Sequence, residues 1–126
     1  MVLPAFNEER TLGEIIRRVK RFTDDVLVID DGSWDRTREN ELRNGVRVVS
    51  HERNMGYISS LGIGFTHAEG DIIVVMDADG QHDPDDIPSL LKPILEGEVD
   101  LGTGVREHLS FSEKILTKLT SIKVKN

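Results

Sequence analysis

The stretch IIVVMDADGQHDP, Ile72 to Pro84, decides how the chain is read. Five apolar residues are followed at once by Asp77, Asp79 and Asp83, with Asp85 and Asp86 just behind. A short run of Ile, Val and Met bounded by polar residues has the pattern of a buried strand. Carboxylates this close repel one another unless water screens them or a cation neutralises them. A strand that delivers acidic residues at its carboxyl end is how open α/β sheets present ligand sites.

Working outward, strand-like runs alternate with helical periodicity. Met1–Pro4 is a short first strand. A helix is expected over Glu8–Arg21, with Leu12, Ile15, Ile16 and Val19 on one stripe. Val26–Asp30 reads as a buried strand, and Ser33 or Asp35 as the cap of a polar helix reaching Leu42. Asn44-Gly45 turns the chain into a strand over Val46–Ser50. A helix over Ile58–Ala68 ends at Gly70, and Asp71–Met76 is the strongest strand. Asp85–Leu95 is expected to be helical, shortened or kinked by Pro93. Asp100–Val105 reads as a last strand, and an amphipathic helix from Phe111 carries Ile115, Leu116, Leu119 and Ile122 on one side. This alternation predicts an α/β fold, a mostly parallel sheet with helices on both faces.

Bulk properties narrow the function. The 126 residues suit one domain with a modest core, and there is no cysteine, hence no disulfide and no thiolate chemistry. No apolar run reaches the length of a membrane span, and the N-terminus lacks a signal-peptide pattern, which fits a cytoplasmic protein. Residues 1–105 hold 11 Lys/Arg against 21 Asp/Glu, while residues 106–126 hold 5 against 2. An acidic body argues against nucleic acid as a partner. The basic tail, with Lys114, Lys118, Lys123 and Lys125, suits peripheral contact with an anionic bilayer or a face packed on further chain.

Three clusters carry chemistry. Asp77 and Asp79 are two apart and face the same way in an extended segment, with small Ala78 between them and Gly80 to turn the chain. With Gln81 they form an all-oxygen set suited to Mg²⁺ or Mn²⁺. An EF-hand is excluded because its sixth and twelfth positions would hold His82 and Pro88. The four histidines show no zinc-ligand spacing. In VIDDGSWDRT, Val28–Thr37, Asp30 and Asp31 offer carboxylates to the N–H edge of a base, while Trp34 reads as packing or exposed loop. In LPAFNEER, Leu3–Arg10, Asn7 and Glu8 follow the first strand at the same sheet edge.

These motifs, in this order, resemble the family 2 glycosyltransferases of GT-A fold. DADGQHDP, Asn54-Met55-Gly56, Ala68–Asp71 and Gly104-Val105-Arg106 narrow the likeness to the dolichyl-phosphate mannose or glucose synthase group. The resemblance covers residues 2–106. It implies an enzyme that binds a nucleotide-diphosphate sugar with a divalent metal and transfers the sugar with inversion to a polyprenyl phosphate or another glycosyl acceptor. By position, Pro4, Phe6 and Glu8 match the first part of the nucleotide pocket, and Ile29 and Asp31 the part at the base. Asp77 and Ala78 would lie along ribose and diphosphate, Asp79 and Gln81 would hold the metal, and Arg106 would approach a phosphate. Asp77 and Asp79 are the candidates for catalysis, and no general base can be assigned.

Phe6 stands where the family usually has tyrosine, and Ile58 where glycine is common. Residues 1–106 match the donor-binding part, and residues 107–126 would begin the acceptor side. The remainder of the fold would come from further chain, a homo-oligomer or a partner. The expected location is the cytoplasm or the cytoplasmic face of a membrane. A nucleotide-sugar-binding module without turnover is the alternative. A receiver domain fits poorly, since its acidic pair would follow the first strand and a lysine the fifth.

Overall fold

A computed structural model describes residues 1–104. They fall into two compact units, Met1–Pro84 and a second beginning at Asp85. Arg106, the boundary expected after it and the tail helix lie outside the described residues.

The first unit is built on three parallel strands, β1 (Val2–Ala5), β2 (Leu27–Asp30) and β3 (Arg47–Ser50), in spatial order β1-β2-β3. The register pairs Val2 with Leu27 and Leu27 with Arg47. Every residue of β1 and β2 is buried, as their apolar runs require, with Asp30 buried at the end of β2. Helix α1 (Leu12–Val19) joins β1 to β2, and α2 (Thr37–Asn44) joins β2 to β3. All four stripe residues of α1 are buried. Helix α3 (Tyr57–His67) packs on β1 and β2, whereas α1 and α2 pack on each other.

This arrangement follows from handedness. Two successive right-handed crossovers in one direction put α1 and α2 on the same face. The chain then returns across the sheet through α3 and reaches the far side of β1. There Val75 bridges Val2 in parallel, with Val2 N–H donating to Val74 O at 2.8 Å and Met76 N–H to Val2 O at 3.1 Å. The return crossover lies on the opposite face. On it, Val2, Leu27 and Ile29 form a buried cluster with Ile63, Val49, Ala68 and Val75. Helices thus cover both faces, as the sequence predicts.

Two expected strands are corrected. Asp71–Met76 makes one bridge instead of a full strand. Ile72 and Ile73 are 36% and 40% exposed, because no described strand pairs on their outer side. The described part of Asp100–Val105 forms no strand. A short 3-10 turn at Pro84–Asp86 precedes α4 (Ile87–Leu95) of the second unit, which carries Pro93 in its last turn.

Candidate functional site

The switch point lies between β1, where the chain sets off toward β2, and the Val75 segment on its other side. Such a point opens a crevice at the strands' carboxyl ends. A cavity of about 310 Å³ sits there. One wall is the end of β1 and its loop, Pro4, Ala5, Phe6 and Glu8. The opposite wall is the acidic loop, Asp77, Ala78 and Asp79. Asn54 and Gly56, just before α3, and Tyr57 and Ser60, in its first turn, close it together with Asp31.

The β1 wall is held by the loop after β2. Three successive amides donate to three side chains: Asn7 to Ser33 Oγ at 3.0 Å, Glu8 to Thr37 Oγ1 at 2.8 Å and Glu9 to an Asp35 oxygen at 3.2 Å. Asn7 has φ 55°, a left-handed conformation that asparagine tolerates better than most residues. Its side-chain oxygen accepts the Trp34 amide at 3.1 Å. Trp34 itself is 79% exposed and meets Phe6 edge to face, with ring centroids 5.2 Å apart. Asp35 also accepts the Thr37 amide at 2.9 Å, so it both starts α2 and clamps the neighbouring loop. Burial would push its carboxyl up, but a bond from the Thr37 hydroxyl, together with those from the Thr37 and Glu9 amides, holds it below the usual value.

Asp31 organises the third wall. One carboxylate oxygen lies 2.7 Å from His51 Nδ1 and accepts the Met55 amide at 2.8 Å; the other accepts the Gly56 amide at 2.9 Å. Burial raises its pKa, and the bonds from Met55, His51 and Gly56 outweigh that, so the net shift is downward. Most of the hydrogen-bonding capacity that was expected to face a base is therefore spent on the 51–56 loop.

Among the described residues the cavity is lined by four carboxylates and by no lysine, arginine or histidine. Glu8 shows the consequence. Its pKa is raised, first by burial and further by Asp79, Asp35 and Asp77, while a bond from Thr11 opposes the shift. Tyr57 is pushed up to about 12 by burial, by the charge of Asp77 and by a hydrogen bond to it. Asp79 accepts the Gln81 amide at 2.9 Å, closing a tight turn through Gly80 at φ 80°.

Of the residues singled out in the sequence, Pro4, Phe6, Glu8, Asp31, Asp77, Ala78 and Asp79 line one cavity. Ile29 does not; it is fully buried in the core cluster. Gln81 is exposed and outside the cavity walls. Sequence reasoning assigns no role to Tyr57, Ser60 or Thr11, and places Asn54 and Gly56 only within a motif. Among the described residues no three acidic or histidine side chains converge as a self-sufficient metal cage. One or two carboxylates in an acid-lined cavity suit a cation that takes its remaining ligands from phosphate and water.

A parallel α/β sheet with an acid-walled cavity at its switch point defines the class: the GT-A type of fold. The chain belongs to glycosyl transferase family 2, whose sequence model matches residues 1–121. It is 40% identical over 110 residues to an uncharacterized protein of Methanocaldococcus jannaschii, covering 84% of this chain and 45% of that one. It is 32% identical over 133 residues to the dolichol-phosphate mannosyltransferase of Pyrococcus furiosus, covering 94% and 38%. Among solved structures it matches glucosyl-3-phosphoglycerate synthase of Mycobacterium tuberculosis, in complex with Mn²⁺, UDP-glucose and phosphoglyceric acid. The TM-score is 0.69 and the identity 34%, over 77% of this chain and 39% of that one. The chain thus spans less than half the length of these relatives.

Proposed function

We propose that the chain supplies the donor-binding half of a metal-dependent, inverting glycosyltransferase that moves a sugar from a nucleoside diphosphate to a polyprenyl phosphate. The observation that carries this is the cavity: among the described residues four carboxylates and no basic side chain line it, so a diphosphate would meet repulsion there unless a cation offset the charge. Asp79 would hold Mg²⁺ or Mn²⁺, with Gln81 as the second expected ligand, and Asp77 would face the nucleotide. The metal would stabilise negative charge on the departing diphosphate. Phe6 and Glu8 would line the donor's path, and Asp31 would support it through the 51–56 loop. An acceptor phosphate is already ionised, so transfer to it would need no strong general base.

Support for the acceptor comes from relatives named for dolichol phosphate and, in Edwardsiella ictaluri, undecaprenyl phosphate. Support for the metal comes from the solved neighbour that holds Mn²⁺ with UDP-glucose. A lipid acceptor would place the protein at the cytoplasmic face of a membrane. Among the described residues no helix is long and apolar enough to cross one.

Titration calorimetry with Mn²⁺ and a panel of uridine, guanosine and thymidine diphosphate sugars tests the proposal. Binding should require the metal, and Asp79→Ala should flatten the isotherm with an unchanged circular dichroism spectrum. Metal-independent affinity, or full affinity in the variant, would overturn the metal assignment. Metal-dependent release of nucleotide from the bound donor separates transfer from binding alone.

A further inference from the structure

Thr11 stands at the N-terminal boundary of α1, where a threonine hydroxyl ordinarily caps the helix. It makes no capping bond. Its hydroxyl instead lies 2.5 Å from the carbonyl oxygen of Ala78, 67 residues away in sequence, and 3.3 Å from Glu8 Oε2. A hydroxyl has one hydrogen to donate, and a carbonyl can only accept. The short contact therefore takes that hydrogen, and the Glu8 carboxylate is the weaker, shared partner. Ala78 sits between the two aspartates of the acidic wall, so the loop is anchored at its centre. The methyl group of Thr11 lies 3.2 Å from where a Cβ on Gly80 would be, so it occupies the space beside the turn that follows.

One side chain thus touches both facing walls of the cavity. On one side is Glu8, and on the other the backbone that carries Asp77 and Asp79. Asp77 and Asp79 repel Glu8 across the opening, and among the described residues nothing basic lines the cavity to draw the two walls together. We propose that Thr11 is a positioning residue that ties the acidic loop to the loop after β1 and sets the separation of the opposed carboxylates. Its effect on metal–diphosphate affinity rests on the donor-site reading above; its effect on the acidic loop does not.

Two substitutions divide the side chain's parts. Thr11→Val keeps the shape and removes the hydroxyl; Thr11→Ser keeps the hydroxyl and removes the methyl. No capping bond is lost in either, so both should fold, the serine variant melting close to the parent and the valine variant a few degrees lower for its lost bond to Ala78. Two readouts are taken on each protein: calorimetric affinity for Mn²⁺ with uridine or guanosine diphosphate, and hydrogen exchange of residues 77–81 without ligand. The valine variant should bind about tenfold more weakly, as expected for one lost hydrogen bond in the site, and exchange faster at 77–81. The serine variant should restore both. Parental affinity and parental exchange in Thr11→Val, or failure of serine to restore them, would overturn the assignment. If the parent binds neither nucleotide, the donor-site reading fails, and the exchange comparison still decides the role of Thr11.

Discussion

Asp31 shows how far a single residue can be read from its neighbours alone. The Asp30-Asp31 pair after a buried strand marks a site, and Asp31 does reach the cavity. What the local sequence hides is its employment. Its three partners lie 20 to 25 residues further along the chain, in the loop that follows β3, and meet it because β3 pairs beside β2. Gly32, the next residue, makes that meeting possible. It has φ +74°, and a Cβ there would fall 2.5 Å from the carbonyl carbon of Arg53 and 2.8 Å from the Asn54 nitrogen. Both neighbours are backbone and cannot swing aside. Gly32→Ala should therefore destabilise the protein by roughly 1–3 kcal/mol, combining left-handed strain with overpacking, and loosen the 51–56 loop. Urea unfolding with loop-resolved hydrogen exchange would measure both. An unchanged midpoint would mean that the loop yields freely.

At the scale of elements, what was legible depended on whether a segment's fate is decided locally. The stripe of α1 and the apolar runs of β1 and β2 announce themselves because burial imposes a period. The start of α1 does not. Asn7, Glu8 and Glu9 have helix-like sequence, but their amides are taken by Ser33, Thr37 and Asp35, so the helix begins at Leu12 instead of Glu8. The Asp71–Met76 run has strand composition, yet a strand also needs neighbours, and composition cannot report those. Helix α3 carries a test of sheet packing. At Gly64 a Cβ would meet Val2 Cγ1 at 2.5 Å, whereas at Gly62 it would meet nothing within 4 Å. Alanine gains up to about 1 kcal/mol over glycine in a helix. Gly62→Ala should realise that gain. Gly64→Ala should lose it to overpacking of about 1–3 kcal/mol, since a β-branched valine held in β1 has little rotamer freedom. Thermal melts should move in opposite directions, and a rise in both would mean that α3 does not press on β1.

For the molecule as a whole, the balance of its buried carboxylates sets how stability varies with pH. Asp31 and Asp35 are held below their ordinary value of 3.8. Their contribution is present above that value and is lost as pH falls through their depressed folded values. Glu41 works in the opposite sense. It lies on α2 at 1% exposure, with neither carboxylate oxygen hydrogen-bonded. Burial pushes its pKa from 4.5 up to about 7, helped by Asp30 at the end of β2 and opposed by Arg38 on its own helix. A folded value above the unfolded one means that its favourable, protonated state is fully effective below about pH 4.5. That advantage is lost as pH rises through about 7. Stability should therefore peak on the acid side of neutrality and decline by roughly 2–3 kcal/mol toward pH 8. Glu41→Gln keeps the shape and removes the charge, so its urea midpoints should match the parent near pH 4.5 and exceed it increasingly up to pH 8. Parallel profiles for the two proteins would show that Glu41 reaches a partner or water when ionised, and that its burial costs the fold nothing.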